Sequence, residues 1–207
     1  MEYVERAEWV EHYSDGKGFR PLGDKERRLL SEHVPAPAED GRALEVGCGT
    51  GALSLFLTTL GYRVDAVDYA DSAITRARKE HPDTGEVRWI CMDIERDDPA
   101  DLHPGGYDLV VLRLVVPFLT DRTSVLRRLG ERLRPGGAVV VITPVAAHTP
   151  PERRGIALDE DKIGALSGLW EQADRFDADQ LAFLLWRGAR PAGTGVTTVD
   201  RQRPGGR

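Results

Sequence analysis

The chain is poor in cysteine, in aromatic residues and in unbroken apolar sequence, and each shortage removes a class of answer. Only two cysteines, Cys48 and Cys91, occur in 207 residues. They have no metal-ligand spacing, and a structural disulfide is not expected of them. Two reduced thiols in a cytoplasmic protein are the expectation. The longest apolar stretch, Leu109 to Leu119, is broken by Arg113 and Pro117 and is too short to span a bilayer. The first residues, Met1-Glu2-Tyr3-Val4-Glu5-Arg6, are too charged for a secretory signal. Basic excess is missing as well: 28 Lys and Arg against 34 Asp and Glu leave a net charge of -6. That is not the electrostatic footprint of a nucleic-acid binder. Arg127-Arg128 and Arg153-Arg154 read as solvated faces. Asp93, Glu95, Asp97 and Asp98 read as a solvated acidic loop rather than a Mg²⁺ cage, so no metal site is expected.

What the chain does have is glycine in one telling place. Leu44-Glu45-Val46-Gly47-Cys48-Gly49-Thr50-Gly51 combines the end of a buried strand, a carboxylate at its carboxyl edge and a three-glycine turn. Without Cβ atoms, such a turn lets a ligand approach the backbone. Ala52–Leu60 follows as a helix closed by Gly61. Strand, glycine turn and helix N-terminus form a crevice for a nucleotide-like ligand.

Strand and helix patterns alternate from there to about residue 143. Arg42–Val46, Tyr62–Asp68, Val87–Met92, Tyr107–Leu114 and Ala138–Ile142 read as strands. A helix capped by Asp71 runs through Lys79 and stops before Pro82. Another spans Asp121–Leu133, with Val125, Leu129 and Leu133 on one apolar stripe. Arg134-Pro135-Gly136-Gly137 reads as a turn. After a helix at Ile163–Leu166, Leu169–Phe176 and Leu181–Arg187 are joined by only Asp177-Ala178-Asp179-Gln180, which forces an antiparallel hairpin. The expected fold is α/β: a doubly wound, seven-stranded, mostly parallel sheet with a C-terminal antiparallel hairpin. Residues 1–34 form a flank of two helices, the first apolar at Tyr3, Ala7 and Val10, the second running from Asp24 to before Pro35. Residues 35–190 are the main domain, and 191–207, rich in Gly, Pro and Thr, are expected to be disordered.

Two strand ends extend the crevice. Asp68 ends the second strand, where a carboxylate accepts both hydroxyls of a ribose. The competing reading, a cap for the next helix, is weakened if Asp71 is that cap. Met92-Asp93-Ile94 ends the third, where Asp93 could bond an adenine amine and its neighbours pack on the ring faces. A helix cap or a plain surface aspartate fits Asp93 nearly as well.

Together these segments resemble the class I S-adenosylmethionine-dependent methyltransferases over roughly residues 40–188. Leu44 to Gly51 matches the family's first motif, Asp68 with Tyr69 beside it the acidic ribose position, and Met92-Asp93-Ile94 the adenine position. Tyr107-Asp108-Leu109-Val110 is similar to its fourth-strand motif and Leu133-Arg134-Pro135-Gly136-Gly137 to its turn before the fifth strand. The resemblance implies S-adenosylmethionine as cofactor. Glu45, Gly47, Cys48, Gly49 and Gly51 would then lie at its methionine end, and the Arg113 carbonyl would accept from its amino group. Tyr13 or Arg20 would close over its carboxylate. The implied reaction is an in-line displacement at a sulfonium methyl, in which alignment supplies much of the catalysis.

The acceptor is harder to read. His148, in the loop after the fifth strand, is the candidate general base, with His12 behind it and Arg113 as a candidate ligand for an acceptor carboxylate. Residues 1–34, Val115–Arg122 and Pro144–Leu158 would cover the substrate, with Tyr3, Trp9, Tyr13, Phe19, Val116 and Phe118 as walls. These short apolar pieces suit a small organic acceptor, O- or N-methylated, with no nucleic-acid or membrane partner and a monomeric or homodimeric protein. The Arg/Ala/Gly/Pro-rich composition suggests a high-GC bacterium, where small molecules are methylated in secondary metabolism. Two alternatives stay open. Gly47-x-Gly49-x-x-Ala52 also fits an NAD(P)-dependent oxidoreductase, although Gly51, Glu45 and the terminal hairpin speak against it. A non-catalytic S-adenosylmethionine-binding partner protein would carry the same residues.

Overall fold

The computed structural model describes residues 6–37 and 39–191. Tyr3 and most of the C-terminal tail, 192–207, lie outside the described residues. Five parallel strands alternate with helices, as the apolar runs require: β1 (Arg42–Val46), β2 (Arg63–Asp68), β3 (Val87–Cys91), β4 (Tyr107–Arg113) and β5 (Leu133–Pro144). A hairpin of β6 (Trp170–Ala178) and β7 (Leu181–Ala189) completes a sheet of order β3-β2-β1-β4-β5-β7-β6. β7 is antiparallel to both neighbours, so six strands run one way and β7 runs against them.

Alternate residues of each strand feed two cores. On one face Ala43, Val64, Val111, Val140 and Phe183 pack with α2 (Asp24–His33), α3 (Ala52–Thr59) and α4 (Asp71–Glu80) through Leu30, Leu57 and Ile74. On the other, Leu44, Val110, Val139, Leu184 and Trp186 pack with α5 (Arg122–Gly130) and α6 (Glu160–Ser167). α1 (Arg6–Ser14) lies apart: Tyr13 packs with Ala70 and Ala73 at the start of α4. No helix among the described residues is long and apolar enough to cross a membrane.

Several local expectations are corrected. α5 stops at Gly130, and Leu133 belongs to β5, where it pairs with Tyr107. The Pro135-Gly136-Gly137 turn is therefore an irregularity inside a long strand: Gly136 sits at φ 80° and the register shifts before Ala138 meets Leu109. The hairpin needs only Asp179 and Gln180, both at positive φ (48° and 71°), because a two-residue turn of that hand matches the strand twist. Asp71 does not cap α4. Ala70 occupies that position, and the Asp71 carboxylate reaches only the Ser72 N–H. Gly61, at φ 95°, closes α3 as expected, with its N–H on Thr58 and that of Tyr62 on Leu57.

The order of strands places the crevice. β1 has β2 on one side and β4 on the other, so the chain turns in opposite directions from β1 and leaves a gap above the carboxyl ends.

Candidate functional site

The glycine turn leaves β1 with the Gly47 and Cys48 N–H groups donating to the Val67 carbonyl, which ties the turn to the neighbouring strand. Gly47 (φ 72°) and Gly49 (φ 53°) adopt conformations that L side chains avoid. Each also has a neighbour where a Cβ would stand: Val115 for Gly47, and the Tyr13 hydroxyl, 2.8 Å from that position, for Gly49. Gly51 (φ 91°) is bound in a different way. Its missing Cβ makes room for the Trp89 ring, so it seats α3 against β3 and does not line the crevice.

Above this turn lies a cleft of about 290 Å³ that gathers the strand ends and the N-terminal flank. Size does not single it out, since a hollow of about 460 Å³ lies between Pro135-Gly136-Gly137 and the hairpin. That hollow contains none of the candidate ligand residues, whereas the cleft is lined by Glu45, Gly47, Cys48, Gly49, Asp68, Tyr69, Met92, Asp93, Ile94 and Arg113, with Tyr13 and Arg20 from the flank.

Asp68 is buried at the end of β2 and fixed from two directions. One carboxylate oxygen accepts from the Gly49 N–H at 2.9 Å and the other from the Ala70 N–H at 2.9 Å. This anchoring to the glycine turn and to the approach of α4 holds the carboxylate in the cleft wall. Glu45, equally buried, accepts from the Ser54 hydroxyl of α3. Burial pushes its carboxyl up to about 8, against the opposing pull of the Ser54 hydrogen bond and the Arg113 charge. Burial also raises the Cys48 thiol, helped by the charges of Glu45 and Asp68, so Cys48 is an inert wall and not a nucleophile. Burial, then Asp68, does the same to the Tyr13 hydroxyl, which stays protonated as a donor over Gly49. Asp93 accepts from the Glu95 N–H at 2.9 Å in the tight turn after β3.

Arg113 does something sequence reading missed. Its guanidinium grips Glu26 of α2 through two contacts, 2.7 and 3.1 Å, and donates to the carbonyls of Arg20 and Pro21. Glu26 is itself buried and accepts from the Gly23 N–H at 2.9 Å. The side chain therefore clamps the 20–26 segment onto the end of β4 and is not placed to bind an acceptor carboxylate. Arg20 donates to the Asp179 carbonyl in the hairpin turn at 3.0 Å. At the other end of the flank, Ser72 donates to Val10 and Arg76 to Lys17, so α1 and the following loop are strapped across the cleft. Glu26, 87 residues from Arg113, carries no local sequence signal for this role.

His148 is exposed and lies outside the cleft wall. After β5 the chain is drawn toward the start of α6, with Ala146 donating to Leu158 and Leu158 to Pro144, so no residue of Pro144–Leu158 lines the cleft. His12 also lies outside the lining, its ring against the Gly18 carbonyl at 3.3 Å. Val116 is wholly buried beneath the cleft, and Val115 and Leu119 take its place in the wall. Among the described residues no group of acidic, His and Cys side chains could hold a metal ion.

Comparison with known proteins agrees with this geometry. A family model for a methyltransferase domain matches residues 44–139, from the glycine turn into β5. An uncharacterized methyltransferase of Mycobacterium bovis is 34% identical over 128 residues, 62% of this chain and 60% of that protein. The chain spans between 26% and 60% of the length of the first curated relatives it matches. Among solved structures, a methyltransferase from Streptomyces caelestis superposes with a TM-score of 0.67 at 18% identity, covering 87% of this chain and 96% of that one. The plantazolicin methyltransferase, solved with S-adenosylhomocysteine, gives 0.61 at 14% identity, covering 87% and 90%. The sheet order with its reversed β7 and these superpositions show the class I methyltransferase fold, and the segment from the glycine turn into β5 is similar to a methyltransferase domain.

Proposed function

We propose that the cleft binds S-adenosylmethionine and that the protein transfers its methyl group to a small organic acceptor beneath the N-terminal flank. The observation that carries this reading is Asp68: a buried carboxylate fixed at the end of β2 by the N–H group of Gly49 in the turn itself. The donor set fits the cofactor. Asp68 would take the ribose hydroxyls, Asp93 the adenine amine, and Met92 and Ile94 the ring faces. Gly47, Gly49, Cys48 and Tyr69 would border the methionine half. Glu45, the Arg113 backbone and the Tyr13 hydroxyl would meet its charged end, with Arg20 nearby.

When bound, the cofactor supplies a methyl group on a positively charged sulfur, an already activated electrophile. The chain's own task is then to position and to exclude water. The strap of α1 and the 15–22 segment covers the cleft, Trp9 and Phe118 furnish apolar wall, and Arg113 holds that cover to the sheet. No histidine lines the cleft among the described residues, which suits an acceptor that needs little help from a base.

Asp68→Ala tests the assignment. Loss of a charged acceptor costs about 1.5–3 kcal/mol, so calorimetry should show S-adenosylhomocysteine binding weakened by roughly ten- to a hundredfold. Unchanged affinity would remove Asp68 from the site and the reading with it.

A further inference from the structure

The part of the cleft not taken up by the proposed cofactor contacts has its own chemistry. Trp9 of α1 packs edge-on against Phe19 and Phe118, with ring centroids 5.5 Å away in each case. Phe19 is the large apolar side chain left exposed among the described residues, at 39%, and it stands at the cleft rim. Beside this wall lies Glu95. One oxygen of its carboxylate accepts from the Thr120 and Asp121 N–H groups at 2.9 and 3.0 Å, directly after Phe118 and Leu119. The 118–121 loop thus joins the acid to Phe118, one ring of the aromatic wall. The acidic stretch that reads from sequence as a solvated loop places two carboxylates, Asp93 and Glu95, in the cleft wall.

The charge balance points the same way. Asp68, Asp93 and Glu95, with Glu45 kept neutral by burial, line the cleft against Arg20 and Arg113. Arg113 is cancelled by Glu26, which lies outside the lining, and Arg20 turns to the Asp179 carbonyl. An anionic acceptor would enter a net acidic space with no arginine aimed at it. A cation would meet carboxylate, and an aromatic or alkyl body would bury against rings that also attract cations.

We infer that the outer part of the cleft takes a small amine with an apolar or aromatic body, Glu95 reading the nitrogen and the Trp9 wall reading the body. This rests on the methyltransferase reading above, and it narrows the acceptor from any small organic molecule to an N-methylation substrate.

A matched set of probes tests it: 2-phenylethylamine, 2-phenylethanol and phenylacetate, each titrated calorimetrically into the protein saturated with S-adenosylhomocysteine. The amine should bind about tenfold or more tightly than the carboxylate, since like charges are strongly disfavoured at a contact. Glu95→Gln, which can still accept from Thr120 and Asp121, should bring the amine to the affinity of the alcohol. Trp9→Ala should weaken amine and alcohol alike by about tenfold, and Trp9→Phe should retain most of the affinity. Phenylacetate binding as well as the amine, or an amine preference that survives Glu95→Gln, overturns the inference. Normal S-adenosylhomocysteine binding with no amine preference overturns this inference alone. Absent S-adenosylhomocysteine binding overturns the cofactor reading and this one together.

Discussion

Glu45 shows how one residue can carry the electrostatics of the site. It lies in β1, buried beside Ser54, where the neutral carboxyl is favoured. The folded protein therefore keeps this proton to about pH 8, while the unfolded chain gives it up near 4.5. That contribution to stability is complete below pH 4.5 and is lost as pH rises through 8. Glu45→Gln stays neutral throughout and can still accept from Ser54. Thermal unfolding should thus show the variant gaining on the native protein between pH 5 and pH 8, by about 2–4 °C for each kcal/mol at this size. A melting difference that is the same at both pH values would contradict the assignment. Residues of this kind were partly legible. Gly47 and Gly49 announce themselves because glycine is favoured at a positive φ where a Cβ would also meet Val115 or Tyr13, but the same pattern does not distinguish Gly51, whose space belongs to a Trp89 ring 38 positions later.

Among elements, the legible ones were those whose signal is local. β1, β2 and β4 are strands buried on both faces, and sequence placed them to within a residue. α5 was drawn too long because Leu133 falls four positions after Leu129 and continues the helical stripe, while its true partner, Tyr107, lies across the sheet. The strap over the cleft was the least legible, because it depends on contacts between distant parts of the chain. Arg113 finds Glu26 87 residues away, and Arg20 finds Asp179 159 residues away. The pair is buried, with side chains 11% and 3% exposed. Glu26→Ala would leave the guanidinium without its partner, at a cost of about 3–5 kcal/mol. Hydrogen exchange should then accelerate in 18–30 and at the start of α2 before it does in the central strands. Equal protection in the variant and the native protein would show that Arg113 does not hold the strap.

For the whole molecule, the two-sided core and the reversed β7 fix where the carboxyl ends gather, and the glycine turn, Asp68 and Met92-Asp93-Ile94 meet there. That convergence was readable because each motif ends a strand of one parallel sheet. The acceptor side was not, since Trp9, Phe19, Glu95 and Phe118 come from a flank and two loops with no common period. The similarity of residues 44–139 to a methyltransferase domain speaks against the nicotinamide alternative that the glycine spacing alone left open. The most direct measurement is a pair of calorimetric titrations of the native protein with S-adenosylhomocysteine and with NADH. The account predicts saturable one-to-one binding of S-adenosylhomocysteine and no heat from NADH. Tight NADH binding with no S-adenosylhomocysteine heat would contradict it.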